Sequence, residues 1–212
     1  PADGSYSNTH SNELSWLTDP AGMTVEYSID GVNWIDADGA MSHTWSVLSD
    51  GAHTFHVRAI DHVGNVVERN VTFIVDTVSP TIIIDSPSDI VLNDGDIMIS
   101  WNGSDDRSGI RGYQYRIDGG EWSDEAMVLS NLFTGLVDGP HPLTVRAVDR
   151  SGNIAEAPMT LTVDTAAPEL SITSPGNGSY TNSDEVEVEW SAIDATSGIA
   201  GFRCRIDGGA WT

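Results

Sequence analysis

Apolar and polar residues alternate along many short segments of this chain. In "MTLTV" (159–163), Met159, Leu161 and Val163 share one phase, and "YQYRI" (113–117) alternates in the same way. A period of two predicts strands that bury one face in an antiparallel sheet. Asp-Gly, Gly-Gly and Ser-Gly pairs separate these segments and favour tight turns. No segment of ten or more residues has helical spacing, so the pattern predicts an all-β protein.

Three stretches of the chain are copies of one another. "YSIDGVNW" (27–34) returns 88 residues later as "YRIDGGEW" (115–122), and after a further 89 residues as "CRIDGGAW" (204–211). The motif Val-Asp-Thr-x-x-Pro, at 75–80, also recurs after 88 residues. A period of this length is a small domain, so the chain is a tandem array. We divide it into unit 1 (residues 1–79), unit 2 (80–167) and unit 3 (168–212).

The strand pattern of one unit fits a β-sandwich, because about seven short strands in roughly 100 residues is typical of the immunoglobulin-like fold. Pro1 aligns with Pro175, so unit 1 is expected to lack strand A. Unit 3 is expected to be the N-terminal half of a repeat. We expect such open units to belong to a longer array, or to be completed by strands of another chain in a filament. In unit 2 the pattern predicts strands A, B, C, E, F and G at residues 81–86, 96–101, 112–118, 131–136, 142–149 and 158–163, with a C′ strand or a loop between C and E.

Several motifs carry a family resemblance. Trp101 ends strand B, Tyr115 lies on strand C, Leu136 precedes a Gly turn, and "VRAVD" (145–149) forms strand F. With the Val-Asp-Thr-x-x-Pro ending, these features resemble the tandem immunoglobulin-like, fibronectin type III-like repeats of large bacterial or archaeal cell-surface proteins and adhesins. The resemblance implies a non-catalytic, extracellular structural or adhesive array. It also implies Ca²⁺ at the junctions, where related adhesin repeats hold it.

The chain is strongly acidic, with 32 acids against 9 bases and a net charge of −23. Every base is Arg. Such a surface repels nucleic acid and anionic membranes, so neither is an expected partner. No apolar run approaches the ~20 residues that cross a bilayer, so this segment is not expected to insert into a membrane. Three explanations of the acidity stay open: Ca²⁺ binding, adaptation to salt, and charge that keeps the protein soluble.

Strand directions predict where the acids gather. In a sandwich of this topology, the B–C and F–G loops of one unit face the end of strand G in the preceding unit. Carboxylate and carbonyl oxygens are the ligands that Ca²⁺ takes. The turn acids Asp30, Asp50, Asp118 and Asp138 are better explained by Asx hydrogen bonds. The candidate ligands are therefore Asp76, Asp105, Asp106, Asp149 and Asn153 at the first junction, and Asp164 and Asp194 at the second.

Motifs of catalysis are absent from the sequence: it has no Gly-x-Ser-x-Gly, His-Glu-x-x-His or phosphate-binding loop, so no enzymatic activity is expected. The single Cys204 aligns with core tyrosines and is predicted to be a buried thiol. Trp101 and its equivalents are predicted core residues. Trp34 and Trp122 end the repeated turn, and with Trp45 they support an alternative, the carbohydrate-binding accessory module of a secreted enzyme.

Three Asn-x-Ser/Thr sequons, at Asn70, Asn102 and Asn177, fall on predicted exposed positions and are candidates for glycosylation. The expected partners of the chain are neighbouring repeats, in the same or an identical chain, and glycans or proteins of a cell surface.

Overall fold

The computed structural model describes residues 1–17, 22–86 and 90–212, without the side chain of Ile90. Every regular element in these ranges is a β-strand. The described residues contain no helix long and apolar enough to span a membrane. Unit 1 contains β1 (Ser5–Ser7), β2 (Asn12–Ser15), β3 (Thr24–Ser28), β4 (Ile35–Asp36), β5 (Ser42–Trp45), β6 (Gly51–Ile60) and β7 (Val66–Val75). Unit 2 contains β8 (Thr81–Ile84), β9 (Ile90–Leu92), β10 (Ile97–Ser104), β11 (Ile110–Ile117), β12 (Ser130–Phe133), β13 (Gly139–Asp149) and β14 (Ile154–Val163). Unit 3 contains β15 (Glu169–Ser174) and β16 (Glu189–Ile193).

Unit 2 is a sandwich of two sheets. One sheet has the strand order β12-β10-β8 and the other has the order β11-β13-β14-β9. Side chains that alternate along these strands meet between the sheets, where Trp101, Val145 and Leu161 have at most 1% of their surface exposed. The all-β, immunoglobulin-like fold predicted from the alternation is therefore confirmed.

The repeated "IDGG" stretch forms the tight turn that its residues favour. Asp118 has a φ of 54° and Gly119 a φ of 69°. Two successive residues with positive φ are typical of a type I′ turn, which matches the twist of the strands on either side. In unit 3, Asp207 adopts the same conformation, with a φ of 49°.

Strand A of unit 2 is divided between the two sheets. β8 pairs antiparallel with β10, whereas β9 pairs parallel with β14. The alternation predicts a single strand over residues 81–86 and misses β9, because the crossing from one sheet to the other is a tertiary feature. In unit 1, β1 pairs parallel with β7 and takes the place of β9. β1 is thus the second half of strand A in unit 1. The expectation that unit 1 lacks strand A is therefore wrong for that half.

Unit 1 otherwise repeats the architecture of unit 2. Its sheets have the orders β1-β7-β6-β3-β4 and β2-β5. The core between them contains Leu14, Trp16 and Phe55, and Phe73 and Val75 are fully buried. Because Val75 is the last core residue of β7, the next residue, Asp76, leaves the sandwich at the end that faces unit 2.

Unit 3 consists of one antiparallel pair, β15 with β16. Its apolar side chains line an open cleft of about 860 Å³, which includes Ile172, Trp190 and Phe202. Trp190 is 41% exposed, and Cys204 is also exposed. The prediction that Cys204 is a buried thiol is wrong in this structure, because the face to which it belongs is uncovered.

Candidate metal centre at the junction of two sandwiches

Three loops place acids at the boundary between units 1 and 2. Asp76 follows the last residue of β7, Asp105 follows β10, and Asp149 is the last residue of β13. One carboxylate oxygen of each lies within 4.8 Å of the others. Asp76 and Asp149 are completely buried, and Asp105 is partly buried. The structure therefore brings together three carboxylates from two consecutive units.

The Asp105 carboxylate organises the β10–β11 loop. Its Oδ1 accepts hydrogen bonds from the backbone N–H groups of Arg107 (3.1 Å) and Gly109 (2.8 Å). The Ser108 hydroxyl donates to the same oxygen at 3.4 Å. In the described part of the chain, no donor contacts Oδ2 of Asp105. This oxygen is therefore available to a ligand without any change in the loop.

Asp149 and Asn153 close the β13–β14 loop and join it to unit 1. Oδ1 of Asp149 accepts from the backbone N–H groups of Gly152 (2.6 Å) and Asn153 (2.8 Å). The Asn153 amide Nδ2 donates to Oδ2 of Asp149 at 2.7 Å. The same Nδ2 lies 2.8 Å from the Asp76 carbonyl and 3.2 Å from the Val78 carbonyl. Asn153 thus serves as a donor that connects the two units.

The Asp76 carboxylate is held from both sides of the junction. Oδ1 accepts from the Val78 N–H at 3.1 Å, and Oδ2 accepts from the Ser108 N–H of unit 2 at 3.1 Å. Burial alone would raise the pKa of Asp76. Hydrogen bonds from Ser108 and Val78 and the positive charge of Arg107 outweigh burial and lower that pKa. The carboxyl is therefore ionised at neutral pH.

The remaining predicted acids of the first junction lie outside this group. Asp106 is exposed and does not belong to the group of three. Asp30 stays in its own turn, where hydrogen bonds from Asn33, Val32 and Ser28 lower its pKa. Asp50 accepts from the Thr77 N–H at 3.2 Å and from the Thr77 hydroxyl at 3.1 Å, so its observed hydrogen bonds reach the segment after β7 and are not the Asx bonds predicted within its own turn.

The second junction repeats part of this arrangement. Oδ1 of Asp194 accepts from the N–H groups of Ser197 (2.9 Å) and Gly198 (2.8 Å), as Asp105 does within its loop. The hydrogen bond from Gly198 is the main reason that the pKa of Asp194 is lowered. Oδ2 of Asp164 accepts from the Ser197 N–H at 3.0 Å, across the junction. The hydrogen bond that crosses the first junction from the Ser108 N–H to Asp76 is thus repeated at the second junction.

Two arginines that the sequence analysis did not single out also span the first junction. Arg107 lies 3.8 Å from the Asp50 carboxylate, and the Arg150 guanidinium donates to the Tyr6 hydroxyl at 3.3 Å. The signal that could have identified Arg107 is its position beside two acids in a loop predicted to face unit 1. At the equivalent place, unit 3 carries Thr196.

The tryptophans of the repeated turn are covered by arginines. The guanidinium of Arg58 lies 4.0 Å from the ring centre of Trp34. Arg116 and Arg146 lie 4.5 Å and 4.0 Å from the ring centre of Trp122. Such contacts are cation–π interactions. A sugar that stacked on the same ring faces would have to displace the arginines.

Two of the three predicted core tryptophans are buried, whereas the prediction is wrong for Trp190, which is 41% exposed in the open cleft of unit 3. Trp16 is 8% exposed and Trp101 1% exposed, so both are core residues. The sequon residues Asn70, Asn102 and Asn177 are all exposed. The Asn102 amide donates to the Asp85 carboxylate at 2.6 Å, so its nitrogen is already engaged.

Known structures with the same fold include tandem modules. The fibronectin(III)-like modules of Clostridium thermocellum CbhA are 16% identical, with a TM-score of 0.50 over 77% of this chain and 90% of that chain. Amphioxus IgVJ-C2 gives a TM-score of 0.38 at 12% identity, over 74% of this chain and 99% of that chain. The Sidekick-1 immunoglobulin domains 1–4 give 0.41 at 12% identity, over 77% of this chain and 48% of that chain. No protein-family model and no curated protein matches the sequence. The chain therefore has the immunoglobulin-like, fibronectin type III-like fold.

Proposed function

We propose that this chain is a non-catalytic segment of an extracellular structural array, in which Ca²⁺ joins consecutive sandwiches. The observation that carries the proposal is the group formed by Asp76, Asp105 and Asp149, whose oxygens lie within 4.8 Å of one another. Asp76 belongs to one unit and the other two belong to the next. An ion bound by all three would connect the units directly.

The chemistry of the donor set fits Ca²⁺. This ion takes six to eight hard oxygen ligands in a flexible geometry, whereas Mg²⁺ demands a near-ideal octahedron. Three carboxylates supply such oxygens, and water or nearby backbone carbonyls would have to complete the coordination. Three buried or partly buried negative charges at this distance also repel one another, and bound Ca²⁺ would offset that repulsion.

The mechanical role follows from where the ligands reside. The Asn153 amide and the Ser108 N–H already connect the two units through hydrogen bonds to Asp76 and Val78. An ion between Asp76 and the acids of unit 2 would add a stronger, charge-based connection at the same place. We therefore expect Ca²⁺ to restrict bending between the units.

Calorimetry tests binding, and small-angle scattering tests stiffness. Titration with Ca²⁺ in 0.5 M KCl should detect binding if the carboxylates form a Ca²⁺ site. If the acids only adapt the surface to salt, Ca²⁺ should have no effect beyond its contribution to the ionic strength. Asp105→Asn should weaken binding at least tenfold. Asp106→Asn is the matched control, since it removes the same charge from the neighbouring, exposed residue and should leave binding unchanged. Absence of binding, with equal scattering profiles in Ca²⁺ and chelator, would refute the proposal.

The carbohydrate-binding alternative receives no support from the turn tryptophans, because guanidinium groups lie against the rings of Trp34 and Trp122. Completion of open units by strands of neighbouring chains, and contacts with cell-surface glycans or proteins, remain proposals about partners. Glycosylation at Asn70 and Asn177 is part of the same proposal, and mass spectrometry of the protein from its native source tests it.

A further inference from the structure

Three arginines lie at the end of unit 2 that faces unit 1. Arg107 is in the β10–β11 loop, Arg111 is the second residue of β11, and Arg150 directly follows β13. The whole chain has only 9 basic side chains against 32 acids, so three of them at one junction form a local concentration of positive charge. They stand beside the candidate metal centre, where acids of two units meet.

The charges of two of these arginines act on the acids of the metal centre. Burial raises the pKa of Asp76, but hydrogen bonds and the charge of Arg107 lower that pKa by more. In the same way, its hydrogen-bond partner Glu125 and then the charge of Asp149 raise the pKa of Arg111. The protein itself therefore already compensates part of the negative charge at the junction.

Arg107 is less committed to a single carboxylate than Arg111 is. The Arg111 guanidinium donates two hydrogen bonds to Glu125, at 2.7 Å and 2.9 Å. Among the described residues, Arg107 meets one carboxylate, that of Asp50 in unit 1, whose Oδ2 lies 3.8 Å from its Nη1. This distance is too long for a hydrogen bond. The guanidinium of Arg107 therefore acts through its charge, on Asp50 and on the acids beside it.

Unit 3 shows that the β10–β11 loop does not need the arginine for its shape. The loop reads "DDRSG" (105–109) in unit 2, and its equivalent in unit 3 reads "DATSG" (194–198). In both loops the first Asp accepts from the N–H groups two and four residues later. The Ser N–H of each loop also donates to the acid that ends the preceding unit. Thr196 thus supports the same conformation as Arg107, and what the arginine adds is its charge and its reach to unit 1.

We propose that Arg107 is a built-in counter-ion of the first junction, which offsets the acids when no metal is bound and weakens the binding of Ca²⁺. A fixed positive charge beside several carboxylates reduces their mutual repulsion, and it also repels a cation that the same carboxylates bind. A residue that stabilises the metal-free junction more than the bound one lowers the metal affinity by that difference. The effect on Ca²⁺ rests on the proposed function, whereas the compensation of the acids does not.

Coulomb's law gives the expected size of the effect. For a divalent ion and a unit charge roughly 7–10 Å apart, the interaction at the dielectric constant of water corresponds to about a four- to sevenfold change in affinity. We take this range because Arg107 contacts Asp50, outside the group of three acids, and still acts on Asp76 within it. Arg107 thus raises the Ca²⁺ concentration at which the site fills, and it supports the junction below that concentration. Because a guanidinium stays charged, this setting does not change with pH.

Calorimetry of the full chain at low salt tests the effect on Ca²⁺. In about 0.02 M KCl the Debye length is roughly 20 Å, and Arg107→Thr should bind Ca²⁺ about four- to sevenfold more tightly than wild type. Arg69→Thr is the matched control, because it removes the same charge from an exposed position of β7, roughly 23 Å along the strand from Asp76. This control should change the affinity by less than about twofold, and the advantage of Arg107→Thr should shrink in 0.5 M KCl. Equal or weaker binding by Arg107→Thr at low salt would overturn the proposal.

Urea unfolding in chelator tests the counter-ion role without Ca²⁺, so the two proposals can fail separately. Asp50→Asn removes the charge that Arg107 contacts, while the side-chain Oδ1 can still accept both hydrogen bonds from Thr77. In this background Arg107→Thr should still lower the urea midpoint at low salt, because the three acids of the metal centre remain. No loss would show that Arg107 serves only its pair with Asp50 and would overturn the proposal. A clear loss in a chain whose wild type binds no Ca²⁺ would support the counter-ion and refute the Ca²⁺ site.

Discussion

Asp105→Asn should stabilise the junction in chelator and lose most of that advantage in Ca²⁺. All three hydrogen bonds to Asp105 end on Oδ1, and an Asn side chain can accept them through its own Oδ1. The substitution therefore preserves the β10–β11 loop. It removes one negative charge and replaces the free Oδ2 with an amide group.

The magnitude follows from the separation of the carboxylates. Two unit charges 4.8 Å apart repel by about 3.5 kcal/mol at an effective dielectric constant of about 20. Asp105 takes part in two such pairs, with Asp76 and Asp149. Because Asp105 is partly exposed, solvent screens much of this energy, and we expect a gain of roughly 1–2 kcal/mol in chelator.

In Ca²⁺ most of this gain is cancelled, because a ligand is lost. An ion at a concentration 100 times its dissociation constant stabilises the wild-type chain by about 2.7 kcal/mol. A tenfold weaker site at the same concentration would contribute only about 1.4 kcal/mol. Urea unfolding monitored by tryptophan fluorescence, in chelator and in Ca²⁺, measures both effects, with Asp106→Asn as the control. A variant that is less stable than wild type in chelator, with an unchanged gain from Ca²⁺, would refute this reasoning.

Two further predictions concern charges at other contacts. Arg107→Thr, which copies unit 3, removes the contact with Asp50 and should cost at most about 1 kcal/mol in low salt, with no cost in 1 M NaCl. Equal destabilisation of the variant at both salt concentrations in urea unfolding would contradict this assignment. The Val137 carbonyl and the Asp118 carboxylate raise the pKa of His141 above 6.5. Its stabilising effect should be complete below pH 6.5 and lost as the pH rises through the folded-state pKa, so wild type and His141→Gln should differ most at low pH. A difference in urea midpoint that grows with rising pH would show that the sign is wrong.

Alternation and repetition were sufficient to predict the fold and the position of the acids. Strands B to G follow directly from the period of two, and their directions imply that the β10–β11 and β13–β14 loops face unit 1. The proximity of Asp76, Asp105 and Asp149 is therefore a consequence of topology that the sequence contains. Asp76 was the easiest to place, because it immediately follows the last core residue of its strand.

Details of local backbone geometry could not be predicted in this way. Asp105 and Asp106 are neighbours of the same type, and only the hydrogen bonds that close the β10–β11 loop determine which one faces the junction. β1 escaped notice because "SYS" contains one apolar residue and shows no alternation. β9 escaped because it pairs with β14, whose position relative to strand A depends on the packing of the whole sandwich.

The parallel pairing of β9 with β14 determines how unit 2 responds to tension. A pull on the two ends of the unit first loads β8, which pairs antiparallel with β10, and reaches the β9–β14 pair, from Leu161↔Ile90 to Val163↔Leu92, once β8 has separated. Because the strands are parallel, the force acts along them and loads their hydrogen bonds together in shear, instead of opening them one after another. Unit 1 has the same arrangement, with β1 against β7. Units 1 and 2 thus each hold their last strand by a parallel pair that is loaded in shear, and an extension of the chain must break that pair before the core between the sheets is exposed.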